Sequence, residues 1–402
     1  MLFDRYKSIY RQLILWFFIG LLCILNLGNQ ENAIAHSKGQ SYLYFQIGEN
    51  SVSARAEVAI RDVNKILNLG ISDPRKIDKD AIKPYLNKIR SYVEKNMSIE
   101  CPPQKCQPVY KDYKILKKSP FVQLNYDING IETLPENLQV NYDVILADES
   151  HYTNMILIEH NWNTGTFNNE SKPLFIYSRT KEIHTIDLTS GSFLQGFVAI
   201  IKQGIDHIFG GIDHVLFLIA LLLPSVLKRE EKTWQPVDKF STASIGVLKI
   251  AIAFTVAHSI TLALATLQII DMPSRLVESI IAFSIVLVTI EIFYPIFKEK
   301  QLWIIFIFGL FHGFGFAEEL AKLNFAGQYT LPLLFGFNLG VEIGQILIIA
   351  IVFPILYFLR KPIFYRRYFI KAGAVLLGIT SAYWFIERAF DINIPIKALL
   401  GA

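Results

Sequence analysis

Cysteine is scarce: three residues in 402, at positions 23, 101 and 106. None falls in the long apolar runs of the second half, so no intramembrane thiolate is there to favour copper(I). The chain also lacks an HExxH or HxxxH pair, the spacing by which one helix offers two imidazoles to a zinc ion. No ATP-binding motif is present, so any transport would draw on gradients or partners. Charged residues make up only 18%, against about 25% in a typical soluble domain. The net charge of +4 comes with no basic patch interleaved with aromatics, which argues against nucleic acid as a partner.

What is present is unevenly spread. Lys, Arg, Asp and Glu are dense up to about Ser190 and sparse beyond it, which fits a soluble front half joined to a membrane-embedded back half. At the N-terminus, Arg5, Lys7 and Arg11 precede LILWFFIGLLCIL, and Ala33-Ile34-Ala35 supplies a small-x-small cleavage site. Residues 1–35 therefore read as a signal peptide. Residues 36–190 follow as an exported module. Short alternating segments such as SYLYFQI, FVQLNYDI and NMILIEHNW, separated by Gly, Asn, Asp and Pro clusters, predict an all-β, sandwich-like domain. One helix is expected to interrupt the strands between Pro74 and Lys95. In an oxidising compartment Cys101 and Cys106, in CPPQKC, are expected to pair as a disulfide. His151, His160 and His184 stand isolated among polar residues and are expected at surface or turn positions.

Residues 191–402 predict a polytopic α-helical membrane bundle of about six spans. The apolar runs lie at approximately 209–227, 245–269, 275–297, 302–321, 331–358 and 369–390, each close to the roughly 20 residues a bilayer requires. With the module outside, the inner connections carry KREEK plus Lys239, KEK and RKPIFYRR, and the outer ones only Arg275 and Lys322. That asymmetry matches the positive-inside rule.

An ionisable group in mid-membrane costs at least about 2.5–3.5 kcal/mol, so such groups usually face a bundle interior and mark a site. Four of the eight histidines nevertheless fall in or beside these runs. The first two belong to a tandem repeat, GIDHIFG-GIDHVLF, that puts His207 and His214 on one helix face, with Asp206 and Asp213 also sharing a face. On an unbroken helix the two imidazoles would stand about 10.5 Å apart along the axis, too far to share an ion, but Gly210-Gly211 offers a break between them. The second run places Thr255, His258 and Thr261 near one face. The third opens with Glu278 near the outer surface and has Glu291 near the inner one. The fourth, GLFHGFGFAEEL, carries His312, the small Gly313 and Gly315 that permit close helix approach, and Glu318-Glu319. The fifth carries Asn338, Glu342 and Gln345 as one stripe.

Alternating span directions put His214, His258, Glu278, Asn338 and Glu342 in the outer half and His312 near the middle. The expectation is one pocket with His207, Asp213, His214, His258 and His312 as metal ligands. Asp206, Thr255, Glu278, Glu318, Glu319, Asn338, Glu342 and Gln345 would support it. Imidazole with carboxylate suits nickel, cobalt, zinc or copper(II), and the aspartates beside the histidines can instead fix the imidazole tautomer.

At these residues the sequence resembles the HupE/UreJ family of bacterial membrane proteins, in its branch with an exported N-terminal domain. The pieces that carry the resemblance are H-x5-D-H (His207 to Asp213-His214), FTVAHSITL, FGLFHGFGFAEEL, FNLGVEIGQ and YWFIERAF. The resemblance implies a divalent-metal permease of the nickel/cobalt type, multi-pass in the bacterial cytoplasmic (inner) membrane with its N-terminal domain extracytoplasmic. Hydrogenase-linked members carry a second motif, FH-small-x-AHG-x-E. Here His312 matches its first histidine, Phe316 stands near the place of the second, and Glu318 or Glu319 near that of the acid. An alternative is an intramembrane zinc-dependent hydrolase, with three histidines holding zinc and an Asp or Glu as general base. A third reading is an assembly factor whose exported module binds a protein partner.

Overall fold

The computed structural model describes residues 39–74, 77–116, 120–144, 153–177, 182–230, 233–297, 300–322 and 329–392. They fall into two compact units, 39–199 with 329–333, and 200–322 with 334–392. The signal-peptide segment 1–35, His151, and the side chains of Glu318, Glu319 and Lys322 lie outside the described residues.

The first unit begins with β1 (Gln40–Ile47), whose alternation sends Leu43, Phe45 and Ile47 to one side and Tyr42 and Tyr44 to the other. Both sides are buried, which is why the strand is apolar almost throughout. It pairs antiparallel with β2 (Val52–Ala59) and parallel with β7 (Thr153–Asn161). With β4 (Gln107–Ile115), β5 (Phe121–Asn129) and β8 (Phe175–Tyr177) these form a six-stranded sheet in the order β4-β5-β2-β1-β7-β8. A second sheet has the order β3-β6-β9, from Met97–Glu100, Asn137–Tyr142 and His184–Asp187.

Both sheets enter one core, through Leu43, Phe45 and Val58 from the larger and Ile99 and Val140 from the smaller. Two helices fill the same core: α1 (Ile60–Leu67) with Ile60 and Val63, and α2 (Lys83–Lys95) with Ile89 and Val93. The unit is therefore a mixed-sheet domain with helices rather than the all-β sandwich that strand spacing predicts. α1 follows β2 without a break, and its Ile60, Val63 and Leu67 recur at helical spacing. Eight residues are too few for that period to stand out from the alternation before it.

Cys101 and Cys106 are joined by a disulfide, with Cα atoms 5.7 Å apart. His160 is buried on β7, not at the surface as its polar surroundings predict. Its Nδ1 accepts the Asn168 N–H at 3.2 Å, and burial, reinforced by the Arg55 guanidinium, pushes its pKa down to about 3. The ring of His184 packs against Phe175 and Tyr177, with centroids 4.6 and 4.4 Å apart.

The first expected span, 209–227, contains α4 (Ile212–Ser225), which follows α3 (Phe193–Gly210) with a bend of 69° at their junction. A short hairpin, β10 (Leu227–Glu230) with β11 (Thr233–Pro236), precedes α5 (Phe240–Thr266), α6 (Ser274–Phe293), α7 (Gln301–Lys322), α8 (Thr330–Leu359) and α9 (Ile370–Phe390). α5, α6, α8 and the segment Tyr365–Phe390 are long and apolar enough to cross a bilayer. The bent pair raises the count to five if it forms one span. The apolar part of α7, Gln301–Phe316, is shorter. Among the described residues the helical region thus has four to five apolar candidate spans, against the six that the apolar runs predict.

Close helix approach follows the glycines. α5 and α7 pack along each other, and a methyl group at Gly313 would collide with the His258 carbonyl and the Thr261 hydroxyl. On α3 and α8, Gly204 and Gly340 stand against each other's backbone, with Gly204 under the Phe337 carbonyl and Gly340 under that of Ile201.

Candidate metal centre

The bend at Gly210-Gly211 sets the site's geometry. Gly211 caps α4 in extended conformation, and its N–H still closes the end of α3 on the His207 carbonyl at 2.8 Å. The chain turns there, and the two repeats fold together: the rings of His207 and His214 lie 4.6 Å apart, centroid to centroid. The straight-helix spacing of about 10.5 Å does not apply. A side chain at Gly211 would press on His214 Nδ1 at 2.5 Å, so the glycine is needed for close approach as well as for the turn.

The other two intramembrane imidazoles join this pair. His258 on α5 is 6.3 Å from both His207 and His214, and His312 on α7 is 5.4 Å from His214. His258 and His312 are wholly buried. Six ring nitrogens of these four histidines are buried without a hydrogen-bond partner among the described residues: Nε2 of His207 and His312, and both nitrogens of His214 and His258. Buried polar atoms are almost always paired, so such a concentration requires an explanation. His312 Nδ1 lies 2.9 Å from the Phe308 carbonyl. A carbonyl can only accept, so Nδ1 carries the proton and Nε2 keeps its lone pair.

Asp213 closes one side. Its Oδ1 caps the start of α4 by accepting the His214 backbone N–H at 2.9 Å and lies 3.0 Å from His214 Nδ1, an ion-pair approach that falls short of hydrogen-bond geometry. Its Oδ2 lies 3.8 Å from an Arg388 nitrogen on α9, and Arg388 Nε lies 3.5 Å from Glu278. Sequence reasoning passed over Arg388. The available signal was the Glu387-Arg388 pair inside YWFIERAF, near the end of the final span. Phe316 completes the pocket, its ring 4.1 Å from His207 and stacked on Phe337 at 4.7 Å.

The remaining expected residues divide. Thr255 donates to Gln345 Oε1 at 3.0 Å, and Gln345 lines a narrow pocket with His214. Asn338 is tied to its own helix, donating to the Leu334 carbonyl at 2.8 Å. Glu278 is half-exposed and reaches Asp213 only through Arg388. Glu342 is half-buried on α8 and has no ion-pair partner among the described residues. Asp206 is exposed, unlike its repeat counterpart Asp213. Among the described residues, no group of three or more His, Cys, Asp or Glu is already arranged to hold a metal ion.

A bent helix pair, long apolar helices and an imidazole cluster between them describe a multi-pass membrane protein with a polar centre inside its helical region. The family model described as HupE / UreJ protein matches residues 182–388, which contain this whole centre, and the chain belongs to that family. No curated protein and no solved structure matches the chain.

Proposed function

We propose that the helical unit is a divalent-cation permease of the nickel/cobalt type, and that His207, His214, His258, His312 and Asp213 bind the cation on its way through. The observation that carries this reading is the set of six buried ring nitrogens with no hydrogen-bond partner among the described residues, one of them 3.0 Å from the Asp213 carboxylate. A metal bound by imidazole nitrogen sits at about 2.0–2.1 Å, roughly 3.2 Å from the ring centroid once about 1.1 Å of ring is added. Two rings sharing an ion then have centroids up to about 6.4 Å apart, and the separations of 4.6, 5.4 and 6.3 Å lie within that limit. Rotation of the rings about their side-chain torsions is what brings the lone pairs onto one ion.

The ligand chemistry suits nickel, cobalt or zinc as cargo. Asp213 supplies negative charge, and Arg388 holds that charge until a cation arrives; Glu278 takes up the arginine when Asp213 turns to the ion. The excess of Lys and Arg in the loops after α4, α6 and α8 supports an orientation in the bacterial inner membrane with those loops cytoplasmic. The imidazoles and the N-terminal domain then lie toward the extracytoplasmic side, as a leader at residues 1–35 requires.

Radioactive nickel or cobalt supplied to sealed vesicles tests the proposal. Accumulation that His214→Ala abolishes is the expected result. Vesicles that bind the metal tightly but never concentrate it would show that transport is the wrong activity.

A further inference from the structure

The helical unit contains a second polar space, apart from the imidazoles. A chamber of about 390 Å³ is lined by Ser225, Arg229, Thr242, Glu291 and Gln301, with Leu221 and Ile250 among its apolar walls. A much smaller pocket of about 20 Å³ touches His214 and Gln345, and Leu221 and Ile250 line it as well. Two residues thus separate the chamber from the pocket that reaches the imidazole cluster.

The arrangement is polarised along four helices. α4 has His214 near its start and Ser225 at its end, and α5 has Thr242 near its start and His258 in its second half. α6 has Glu278 near its start and Glu291 near its end, and α7 has Gln301 at its start and His312 at its middle. On α4 and α5 the imidazole and the chamber residue stand toward opposite ends, and on α6 so do Glu278, which Arg388 links to Asp213, and Glu291. On α7 His312 stands 11 positions (312 − 301) after Gln301. Thr242 and His258 are 16 positions apart (258 − 242), about 24 Å of helix at 1.5 Å per residue, against a hydrocarbon thickness of about 30 Å.

We propose that this chamber is the far vestibule of a single cation path, and that Leu221 and Ile250 form the apolar gate between it and the imidazole cluster. This rests on the permease reading above. The smaller pocket has room for about one water-sized species, so a hydrated divalent ion cannot pass in this conformation, and an apolar neck of that width shuts by dewetting. The vestibule offers hard, weakly binding donors. Glu291 is fixed in its wall, its Oε2 accepting the N–H groups of Ile296 and Phe297 at 2.5 and 2.9 Å. The Ser225 and Thr242 hydroxyls and the Gln301 amide add neutral oxygens. Arg229 donates to the Phe293 carbonyl at 3.1 Å and lies over Trp234, and it lines the same chamber as the Glu291 carboxylate. Such a set holds a divalent cation far less tightly than imidazoles do, which suits release.

The test uses the full chain in proteoliposomes, with the radioactive nickel ion alone as probe. Leu221→Trp and Ile250→Trp should lower accumulation by about tenfold or more, while nickel binding to the same purified variants stays within about twofold of wild type. In a Cys23→Ser background, Thr242→Cys should react with a charged, membrane-impermeant thiol reagent applied from the side of the basic loops, and the modification should block uptake. Tryptophan variants that bind and accumulate nickel at wild-type rates would send the path elsewhere. An unreactive Thr242→Cys would overturn the vestibule even if both tryptophan variants fail to fold. Wild-type vesicles that accumulate no nickel would remove the permease reading and the vestibule together, an outcome distinct from failure of the gate alone.

Discussion

His258→Leu separates a ligand from a packing residue most sharply. The imidazole is wholly buried on α5, and neither of its ring nitrogens has a hydrogen-bond partner among the described residues. A buried polar group left unpaired costs about 1–3 kcal/mol. Leucine has closely similar volume, so removing both nitrogens should stabilise the metal-free protein by about 2 kcal/mol or more, with little penalty from repacking. Cation should act in the opposite sense. At 100 times Kd a ligand that binds only the folded form adds about 2.7 kcal/mol, a gain that wild type should show with nickel or cobalt and the variant should largely lose. Thermal melts of detergent-purified protein, with and without metal, read both effects in one experiment. A metal-free His258→Leu protein that melts well below wild type would mean that the ring is a satisfied packing residue. An equal metal-induced rise in both proteins would mean that the cation binds elsewhere.

Phe316→His places a fifth imidazole against His207, whose ring is 4.1 Å from the phenylalanine, and should tighten nickel binding by about tenfold in equilibrium dialysis; unchanged or weaker binding would count against a shared pocket. Gly211→Ala pushes a methyl group at His214 Nδ1 and should weaken binding at least as much as His214→Gln, with the helical circular-dichroism signal preserved. Arg388→Gln frees Asp213 from its ion pair, so metal affinity should rise while turnover in vesicle uptake falls, and parallel losses in both would contradict a holding role. The N-terminal unit should be acid-sensitive through His160. Its folded pKa of about 3 lies below the ordinary value of about 6.5, so its contribution is full above pH 6.5 and is lost as pH falls toward 3. By pH 5 the loss is about 2 kcal/mol, and His160→Gln should flatten this dependence in melts recorded between pH 7.5 and 5.

The membrane character of the second half was legible in its long apolar runs. The candidate site was legible because lipid tolerates ionisable groups so poorly that four histidines there stand out, and the family through the motifs around those histidines. What periodicity misses is geometry at breaks. The closeness of His207 and His214 depends on a 69° bend, and a straight-helix estimate separates them. Arg388 was obscured because a single arginine near the end of a span is ordinary, and only its approach to Asp213 and Glu278 singles it out. In the N-terminal unit, strand alternation was readable but the parallel β1–β7 pairing was not, since it joins segments more than a hundred residues apart. The eight-residue α1 was too short to announce its period.

X-ray absorption on the nickel-loaded, purified full chain tests the central claim most directly. Outer-shell scattering from several imidazole ligands, reduced by about one in His258→Leu, is the predicted spectrum. Nickel surrounded only by water and carboxylate oxygens, unchanged in that variant, would contradict it.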